Sequence, residues 1–455
     1  MSDQGISLRR KILTSAKLSS LQFLSSVGLR LISTVVLTRL LAPEIYGVFA
    51  IVMVYMYILE MFSDLGIRSL IVTKEDNVED DFLRTCWTVN ILRGAIIGIC
   101  SCIIAVAIAL LQSTSLIATD SPYMSADLPL ALAVVGCTAI LAGFHSPMFY
   151  VYEREMRFER PTTLNIALNV IALVATVAFA YYLRSVWALV LGNIVRAIAQ
   201  VTLSFAMFKG PPMRFSLNRA QLSVIIGRGK WIIGHSALTA MSLAGDRLLL
   251  GFAMSSTTFG FYFIARQLVD VMLSFLMSLH GQMGLQVFTH LQNTTTEGFR
   301  RNYYRYRFFF DAVAGLSTGG LIVLSPLVVS ILFDDRYRGV ADIVQIIVWS
   351  VLLIGPLLLR DAFIAERRFK DVTYLGILST ATLWIGLGFS IFVLDSTTLA
   401  LTVIALYRLP EAMALIIVGG DRDWVIVWRE FLGFGFCGLG IVLGLGVLSL
   451  WNLFV

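Results

Sequence analysis

Long apolar runs recur along the whole chain, and polar residues collect in the short segments between them. We count about thirteen such runs, and each is long enough, at roughly 18–25 residues, to cross a hydrocarbon core of about 30 Å as an α-helix. No segment between them is long enough to form a soluble domain. The pattern therefore predicts an all-α integral membrane protein with about 12–14 transmembrane helices.

The first run, from Lys17 to Leu41, is polar on one side only. Ser26, Arg30 and Thr34 follow one another at intervals of four residues, which places them on one stripe of a helix. A cation at the centre of a spanning helix costs about 2.5–3.5 kcal/mol on insertion scales, so Arg30 needs a polar environment. We therefore expect this stripe to face a cavity, with an anion as the natural partner of Arg30.

The second half of the chain weakly repeats the first. LTRLLAPEIYGVFAIV joins the first two runs, and LLLGFAMSSTTFGFYFIA occupies the equivalent place in the second half. The run before it is also polar on one stripe, at His235, Thr239, Ser242 and Asp246, with Arg247 beside it. Duplicated halves are typical of transporters, and they predict two pseudo-symmetric six-helix lobes around a central cavity.

These boundaries divide the chain into five parts. We predict a cytoplasmic tail at 1–16, a first lobe at 17–208, a cytoplasmic linker at 209–229, a second lobe at 230–419 and an extra membrane segment at 420–455. The last part is rich in glycine, so the sequence leaves open whether it forms one span or an irregular hairpin.

Charge and composition fit this class of protein. Apolar residues make up 58% and charged residues 14% of the 455 residues, whereas charged residues are about a quarter of a typical soluble protein. The net charge of +6 does not indicate a nucleic-acid partner, because 24 of the 35 basic residues lie in segments on one side of the spans and 3 lie on the other. This asymmetry predicts a cytoplasmic N-terminus.

No motif indicates a cofactor or a metal. The five cysteines lie in or beside apolar runs, so they predict neither disulfides nor a metal site. We interpret His235 and His280, which also lie in apolar contexts, as packing residues. The chain contains no GxxxxGK[ST] loop, which excludes ATP hydrolysis by a protein of that type.

Several motifs, in order along the chain, carry a family resemblance. They are LTRLLAPEIYGVFA, SDLGIRSLI, EREMRFERP, VWALVLGNIVRAIAQ, GDRLLLGFAMSSTTFGFYFIARQL and SPLVVSILFDDRYRGVADIVQIIVWSVLL. Together they resemble the polysaccharide transporter family of the multidrug, oligosaccharidyl-lipid and polysaccharide flippase superfamily. The resemblance covers about residues 15–420.

The resemblance implies a Wzx-type flippase. Such a protein moves an undecaprenyl-diphosphate-linked oligosaccharide across a bacterial inner membrane by alternating access, as part of exopolysaccharide, O-antigen or capsule synthesis. It implies membrane lipids and polysaccharide polymerase machinery as partners. The alternatives are a multidrug or cation exporter, a peptidoglycan-precursor flippase, and a membrane sugar polymerase or ligase. An exporter of cations would need acids in its cavity, and here the deep charges are mainly arginines.

The charged residues at membrane depth give a candidate site. Arginine binds phosphate oxygens through its planar fork and stays charged, so we expect Arg30 and Arg247, one from each lobe, to bind the diphosphate. Further candidates for the diphosphate are Arg39, Arg196 and Arg266; candidates for sugar contacts are Ser26, Thr34, Tyr57, Thr239 and Tyr262; candidates for coupling to H⁺ or Na⁺ are Glu60, Asp246 and Asp270.

For some of these charged and aromatic residues a structural role stays open as the alternative to substrate binding. Aromatic residues are common in membrane helices, so Tyr57 and Tyr262 also fit a role in packing. Arg266 and Asp270 are four residues apart and could neutralise each other. Arg93 lies within reach of the membrane interface, and we assign it no role in the site.

Overall fold

A computed structural model describes residues 3–74, 78–114, 118–291 and 296–454, with side chains described outside 3–20, 231, 235, 282–291, 296, 369 and 452–454. The described residues form helices and connecting turns and include no strand. They divide into two compact units, Met1–Arg247 and Leu248–Val455. The division falls inside a single helix, and it places Arg247 at the end of the first unit.

The first unit contains eight complete helices and most of a ninth. They are α1 (Asp3–Leu40), α2 (Pro43–Phe62), α3 (Ile67–Val72), α4 (Asp80–Gln112), α5 (Asp127–Gly143), α6 (Met148–Arg154), α7 (Glu159–Leu183), α8 (Val186–Met207) and α9 (Arg219–Ala253). Pro43 opens α2, because its fixed φ suits the first turn of a helix and its missing N–H is not needed there.

Small residues bring pairs of these helices into close contact. A Cβ at Gly94 would come within 2.4 Å of the Ala139 carbonyl oxygen, and one at Gly136 within 2.3 Å of Ser101. The α4 and α5 backbones therefore touch where their glycines lie, a mode of packing that membrane helices use often. Ser101 also donates a hydrogen bond of 2.8 Å across this contact to the Leu132 carbonyl.

The second unit contains the remaining helices. They are α10 (Ser256–Leu291), α11 (Thr296–Leu332), α12 (Val340–Ile347), α13 (Ile354–Leu357), α14 (Arg360–Ala365), α15 (Phe369–Phe392), α16 (Thr397–Leu406), α17 (Leu409–Gly420) and α18 (Leu432–Phe454). Between α12 and α13 the chain tightens into a 3₁₀-helix at Val348–Leu353. Such a break inside a span often marks a functional or strained position.

The glycine-rich C-terminal run forms one continuous helix, α18, so the hairpin alternative is wrong. Its glycines have a packing role. A Cβ at Gly319 of α11 would lie 2.1 Å from the Cys437 carbonyl oxygen, and one at Gly440 of α18 would lie 2.6 Å from the Leu316 carbonyl oxygen. The glycines thus let α18 lie directly on α11.

In the part of the chain that the structure describes, eleven helical segments are long and apolar enough to cross a membrane. The pair α5 and α6, bent by 62° at their junction, raises the number to twelve if it counts as one span. The predicted seventh span lies in α9, two of whose side chains fall outside the description. The predicted fold class, a helical multi-pass membrane protein, is confirmed.

Candidate functional site

The polar stripe of α1 is partly used in packing against α7. Asn169 of α7 donates a hydrogen bond of 3.2 Å to the Ser26 hydroxyl. Thr34 is buried, and its hydroxyl bonds to the Arg30 carbonyl at 2.9 Å. The side chains of Arg30 and Arg39 are exposed at the surface of the unit. The Ser26 and Thr34 hydroxyls are therefore bonded to α7 and within α1, respectively, whereas the guanidinium groups of α1 are exposed.

A second group of predicted residues meets around the C-terminal half of α2. Glu60 interacts electrostatically with Arg93 of α4 and Arg196 of α8. Tyr57, one turn before Glu60, interacts in the same way with Glu60 and with Arg247 of α9. Arg93 and Arg196 thus share the carboxylate of Glu60, and Arg247 acts on Tyr57 one turn away. We call these five residues the Glu60 cluster.

Arg93 holds the cluster together, although its sequence context gave it no role. Its Nη2 donates to the Glu60 carbonyl oxygen at 2.7 Å, and its Nε donates to the Ser63 hydroxyl at 3.1 Å. These bonds tie the end of α2 to α4. They fix the guanidinium by neutral oxygens, so its charge is not cancelled by the atoms that position it.

Two other carboxylates lie on the helices that form the cluster or just beyond them. Asp246 is buried, and its Oδ1 accepts the backbone N–H of Arg247 at 2.8 Å. Asp64 accepts the backbone N–H of Gly66 at 2.9 Å and the hydroxyl of Ser236 at 3.5 Å. Both acids are therefore bonded to neutral donors. Thr239, a further candidate on α9, is half-buried.

The predicted site residues of the second unit are paired or buried. Arg266 donates to Asp270 at 2.8 Å, so these two residues do neutralise each other. Tyr262 is fully buried, with its ring stacked on Phe259 at 6.1 Å between ring centres. His280, interpreted as a packing residue, is buried between the Tyr306 hydroxyl and Asp361, each at 3.0 Å.

The second unit also contains a buried ion network that the sequence did not reveal. Arg307 is fully buried, and its guanidinium lies 3.0 Å from Asp311 and in direct contact with Glu430. The Tyr303 hydroxyl accepts a bond of 3.1 Å from Arg307, and the Tyr304 hydroxyl donates one of 2.7 Å to Glu430. The spacing of Arg307 and Asp311 was visible in the sequence, but Glu430 is 123 residues away.

The two groups of charges suit different chemistry. In the Glu60 cluster guanidinium groups outnumber the carboxylate that they share, which favours the binding of a second anion. In the Arg307 network two carboxylates face one guanidinium, which leaves no charge for an anionic ligand. Among the described residues no group of three His, Cys, Asp or Glu side chains is placed to hold a metal ion.

Known proteins resemble the chain along most of its length. The lipopolysaccharide biosynthesis protein WzxC of Escherichia coli K12 is 22% identical over 368 residues, which are 78% of this chain and 71% of that protein. Among solved structures, the lipid II flippase MurJ in an inward closed conformation is 11% identical to this chain, with a TM-score of 0.66. The match covers 95% of this chain and 98% of the MurJ chain.

An inward-facing multidrug resistance transporter of the MATE family, in the MOP superfamily, gives the same TM-score of 0.66. It is 13% identical, and the match covers 88% of this chain and 94% of the transporter chain. At these identities the two likenesses show the fold of the chain. A family model described as polysaccharide biosynthesis protein matches residues 36–342. The chain therefore belongs to the polysaccharide biosynthesis protein family and has the fold of the MOP superfamily.

Proposed function

We propose that this protein is a flippase for an undecaprenyl-diphosphate-linked oligosaccharide, the repeat unit of an exopolysaccharide, O-antigen or capsule. It would carry this lipid from the cytoplasmic to the external leaflet of a bacterial inner membrane by alternating access. One observation carries the proposal, which is that Arg93 and Arg196 share the carboxylate of Glu60 while Arg247 acts on the neighbouring Tyr57. The membership of the polysaccharide biosynthesis family supports the choice of a sugar-bearing lipid.

The physical argument starts from the charge of the substrate. A diphosphate diester carries two negative charges, which a hydrocarbon slab cannot accommodate without compensation. Arginines stay protonated at any physiological pH and bind phosphate oxygens two at a time. Two guanidinium groups that share one carboxylate, as Arg93 and Arg196 share Glu60, keep a positive excess that such a ligand neutralises.

Arg247 and Arg196 are the arginines of the predicted set that lie in the Glu60 cluster. Arg30 and Arg39, whose side chains are exposed on α1, would receive the diphosphate at another stage of its passage. Arg266 is the weakest of the set, because Asp270 already neutralises it.

Sugar contacts and coupling follow from the same residues. Tyr57 presents a ring and a hydroxyl beside the arginines, so it would stack on the first sugar and bond to it. Glu60 would take up a proton or Na⁺ when the diphosphate binds, because a second anion beside the shared arginines disfavours its bare carboxylate, and would give up that cation when the substrate leaves. A cation exporter would need acids in excess at this place, and the described residues of the Glu60 cluster have the opposite balance.

The proposal is tested in a strain that lacks the gene and carries single variants. Arg30→Ala and Arg247→Ala should each abolish export of the polymer and cause the lipid-linked oligosaccharide to accumulate, with normal abundance in the membrane. The matched control is Arg228→Ala, since Arg228 is an exposed arginine on the same helix as Arg247. We expect this control to export normally.

Wild-type export by both Arg30→Ala and Arg247→Ala would overturn the role of the arginines in binding the diphosphate. If deletion of the gene caused no lipid-linked sugar to accumulate, the substrate class itself would be wrong. Chemical analysis of the lipid that accumulates would identify the sugar repeat unit.

A further inference from the structure

The start of α11 and the turn before α18 enclose two adjoining cavities. Their volumes are about 510 and 430 Å³, and Arg301 and Arg429 line both. Arg300 completes the first cavity, and Arg305 lines the second together with Trp428. We call the four arginines and Trp428 the arginine patch.

The arginines of this patch are not paired with acids. Within the described part of the chain they form no ion pair, and Glu297, the carboxylate in the lining of the first cavity, is not bonded to them. Nearby arginines behave differently, since Arg368 pairs with Asp371 and Arg422 pairs with Glu366. Four guanidiniums around open cavities therefore carry positive charge that the surrounding protein does not neutralise.

Arg429 is held in place by aromatic rings. Its guanidinium carbon lies 5.3 Å from the ring centre of Tyr304 and 5.3 Å from that of Trp428. Cation–π contacts position the side chain and leave its N–H groups available for an anion.

The buried Arg307 network fixes the segment that carries Arg429. Glu430, the next residue, is bonded to Arg307 and Tyr304 of α11. The Tyr304 hydroxyl also accepts the backbone N–H of Ile426 at 2.7 Å. The 3₁₀-turn Val427–Phe431 is thereby fastened to α11, so Arg429 faces the α11 arginines before any ligand arrives.

The patch lies where two candidate spans begin, at Glu297–Leu332 and Val427–Trp451. Three large side chains around it are exposed: Phe308 at 54%, Trp428 at 65% and Phe431 at 58%. Aromatic residues at the end of a span are typical of the headgroup region of a bilayer. Guanidinium groups at that depth meet lipid phosphates directly.

We propose that the arginine patch binds the headgroup phosphate of an anionic phospholipid of the bilayer. The phosphate would lie among Arg301, Arg305 and Arg429, and the acyl chains would lie against Phe308 and Phe431. A soluble anion would gain the arginines but not the exposed aromatic surface, which favours a lipid. The inference does not depend on the substrate proposed above, because it concerns a different set of residues.

The test uses the full chain, purified and placed in nanodiscs that contain phosphatidylcholine and phosphatidylglycerol. Native mass spectrometry measures how many phosphatidylglycerol molecules stay bound after release from the disc. The variant Arg301→Gln/Arg305→Gln/Arg429→Gln should retain phosphatidylglycerol at least about tenfold less well, because it removes three of the four guanidinium groups that would bind the phosphate. Retention of phosphatidylcholine should not change.

The matched control is Arg214→Gln/Arg219→Gln/Arg228→Gln. It removes the same charge from three exposed arginines that line neither cavity. It should retain phosphatidylglycerol as the unaltered protein does. The proposal is overturned if the patch variant binds the lipid normally, or if the control loses as much, since the effect would then be one of total charge.

Two further arms complete the design. If the triple variant is poorly folded, Arg429→Gln alone should still reduce retention, because Arg429 lines both cavities. Inorganic phosphate added to the nanodiscs at equal ionic strength should not displace the lipid. Displacement would overturn the assignment to a lipid and make the patch a site for soluble anions.

Discussion

The two compact units differ in how the arginines of their helices meet carboxylates. In the first unit Arg93 and Arg196 share the carboxylate of Glu60. In the second unit Arg266 is paired with Asp270, and Arg307 lies between two acids. An interior arginine is therefore not by itself a sign of a substrate site, because its neighbours decide whether its charge is available.

This difference has an energetic basis. Two guanidinium groups that share one carboxylate are only partly compensated, whereas Arg307, buried between two acids, is part of a fixed structure. The first unit thus has the features of a site that can bind an anion. In the second unit the network of Arg307, Asp311 and Glu430 joins the segment Val427–Phe431 to α11, and we call this network the cross-brace.

The largest effect should come from breaking the cross-brace. Glu430→Ala leaves the fully buried Arg307 with Asp311 as its only carboxylate, and loss of one member of a buried pair costs about 3–5 kcal/mol. The free energy of unfolding of the purified protein in mixed micelles measures this loss. Glu366→Ala is the control, because its pair with Arg422 is partly exposed and should contribute no more than about 1 kcal/mol.

If the two substitutions destabilise the protein equally, the network at Arg307 is not a brace and the contrast between the units fails on that side. A loss of polymer export by Glu430→Ala at unchanged stability would also contradict it, since the residue would then act on transport directly.

The next effect concerns the anion site of the first unit. Arg196→Gln/Arg247→Gln should weaken binding of farnesyl diphosphate, a short analogue of the lipid carrier, about 100-fold, because two hydrogen bonds to a charged group are lost at roughly 1.5–3 kcal/mol each. Isothermal titration of the purified protein measures the affinity. Stability should stay within about 1 kcal/mol, since these side chains are not fully buried.

The paired control in the second unit is Arg266→Gln/Asp270→Asn, which removes both members of an ion pair. We expect its affinity for farnesyl diphosphate to stay within about twofold of that of the unaltered protein, because a mutually neutralised pair offers the ligand little. An equal loss from both double variants would mean that the distinction between shared and paired arginines does not predict ligand binding.

The fold of this chain was largely visible in its sequence, and the reason is physical. A bilayer demands helices of fixed length with satisfied backbone groups, so apolar runs translate directly into spans. The form of the C-terminal run was not visible, because glycine lowers helix propensity locally. The close contact of Gly319 and Gly440 with the facing helix backbones explains the choice of one helix, α18.

The charged sites were harder to predict. Arg30, Arg196 and Arg247 stood out because they interrupt apolar runs. Arg93 interrupts one too, but its part in the Glu60 cluster depends on the packing of α4 beside the end of α2. Arg307 lies in a basic segment after Arg300, Arg301 and Arg305, which is typical of an exposed loop, although it is fully buried. Its partner Glu430 lies in another part of the chain.

A smaller effect should follow from removing the shared acid of the first unit. Glu60→Gln takes away the carboxylate that Arg93 and Arg196 share, so farnesyl diphosphate should bind about threefold more tightly, on the scale of a partly exposed charge interaction. Export should slow, because the Glu60 carboxylate no longer competes with the diphosphate for the arginines and the lipid is released more slowly. The same variant tests coupling, since a coupling carboxylate also makes export depend on the proton or sodium gradient, and its removal ends that dependence.

Weaker diphosphate binding by Glu60→Gln would contradict the view that Glu60 competes with the ligand for Arg93 and Arg196. Unchanged gradient dependence would separate the two roles, leaving Glu60 as a counter-charge and Asp246 and Asp270 as the candidates for coupling.

The smallest effect is expected when the second unit is made to resemble the first. Asp270→Asn removes the carboxylate that lies 2.8 Å from the Arg266 guanidinium on α10. In a protein that also carries Arg196→Gln/Arg247→Gln, this substitution should change farnesyl diphosphate affinity by no more than about twofold, since a partly exposed ion pair is typically equivalent to about 0.2–1 kcal/mol. A recovery of tenfold or more would mean that Arg266 is held back from the substrate by Asp270 alone. The pair would then be a latent part of the anion site, and the division between a ligand-binding unit and a braced unit would have to be given up.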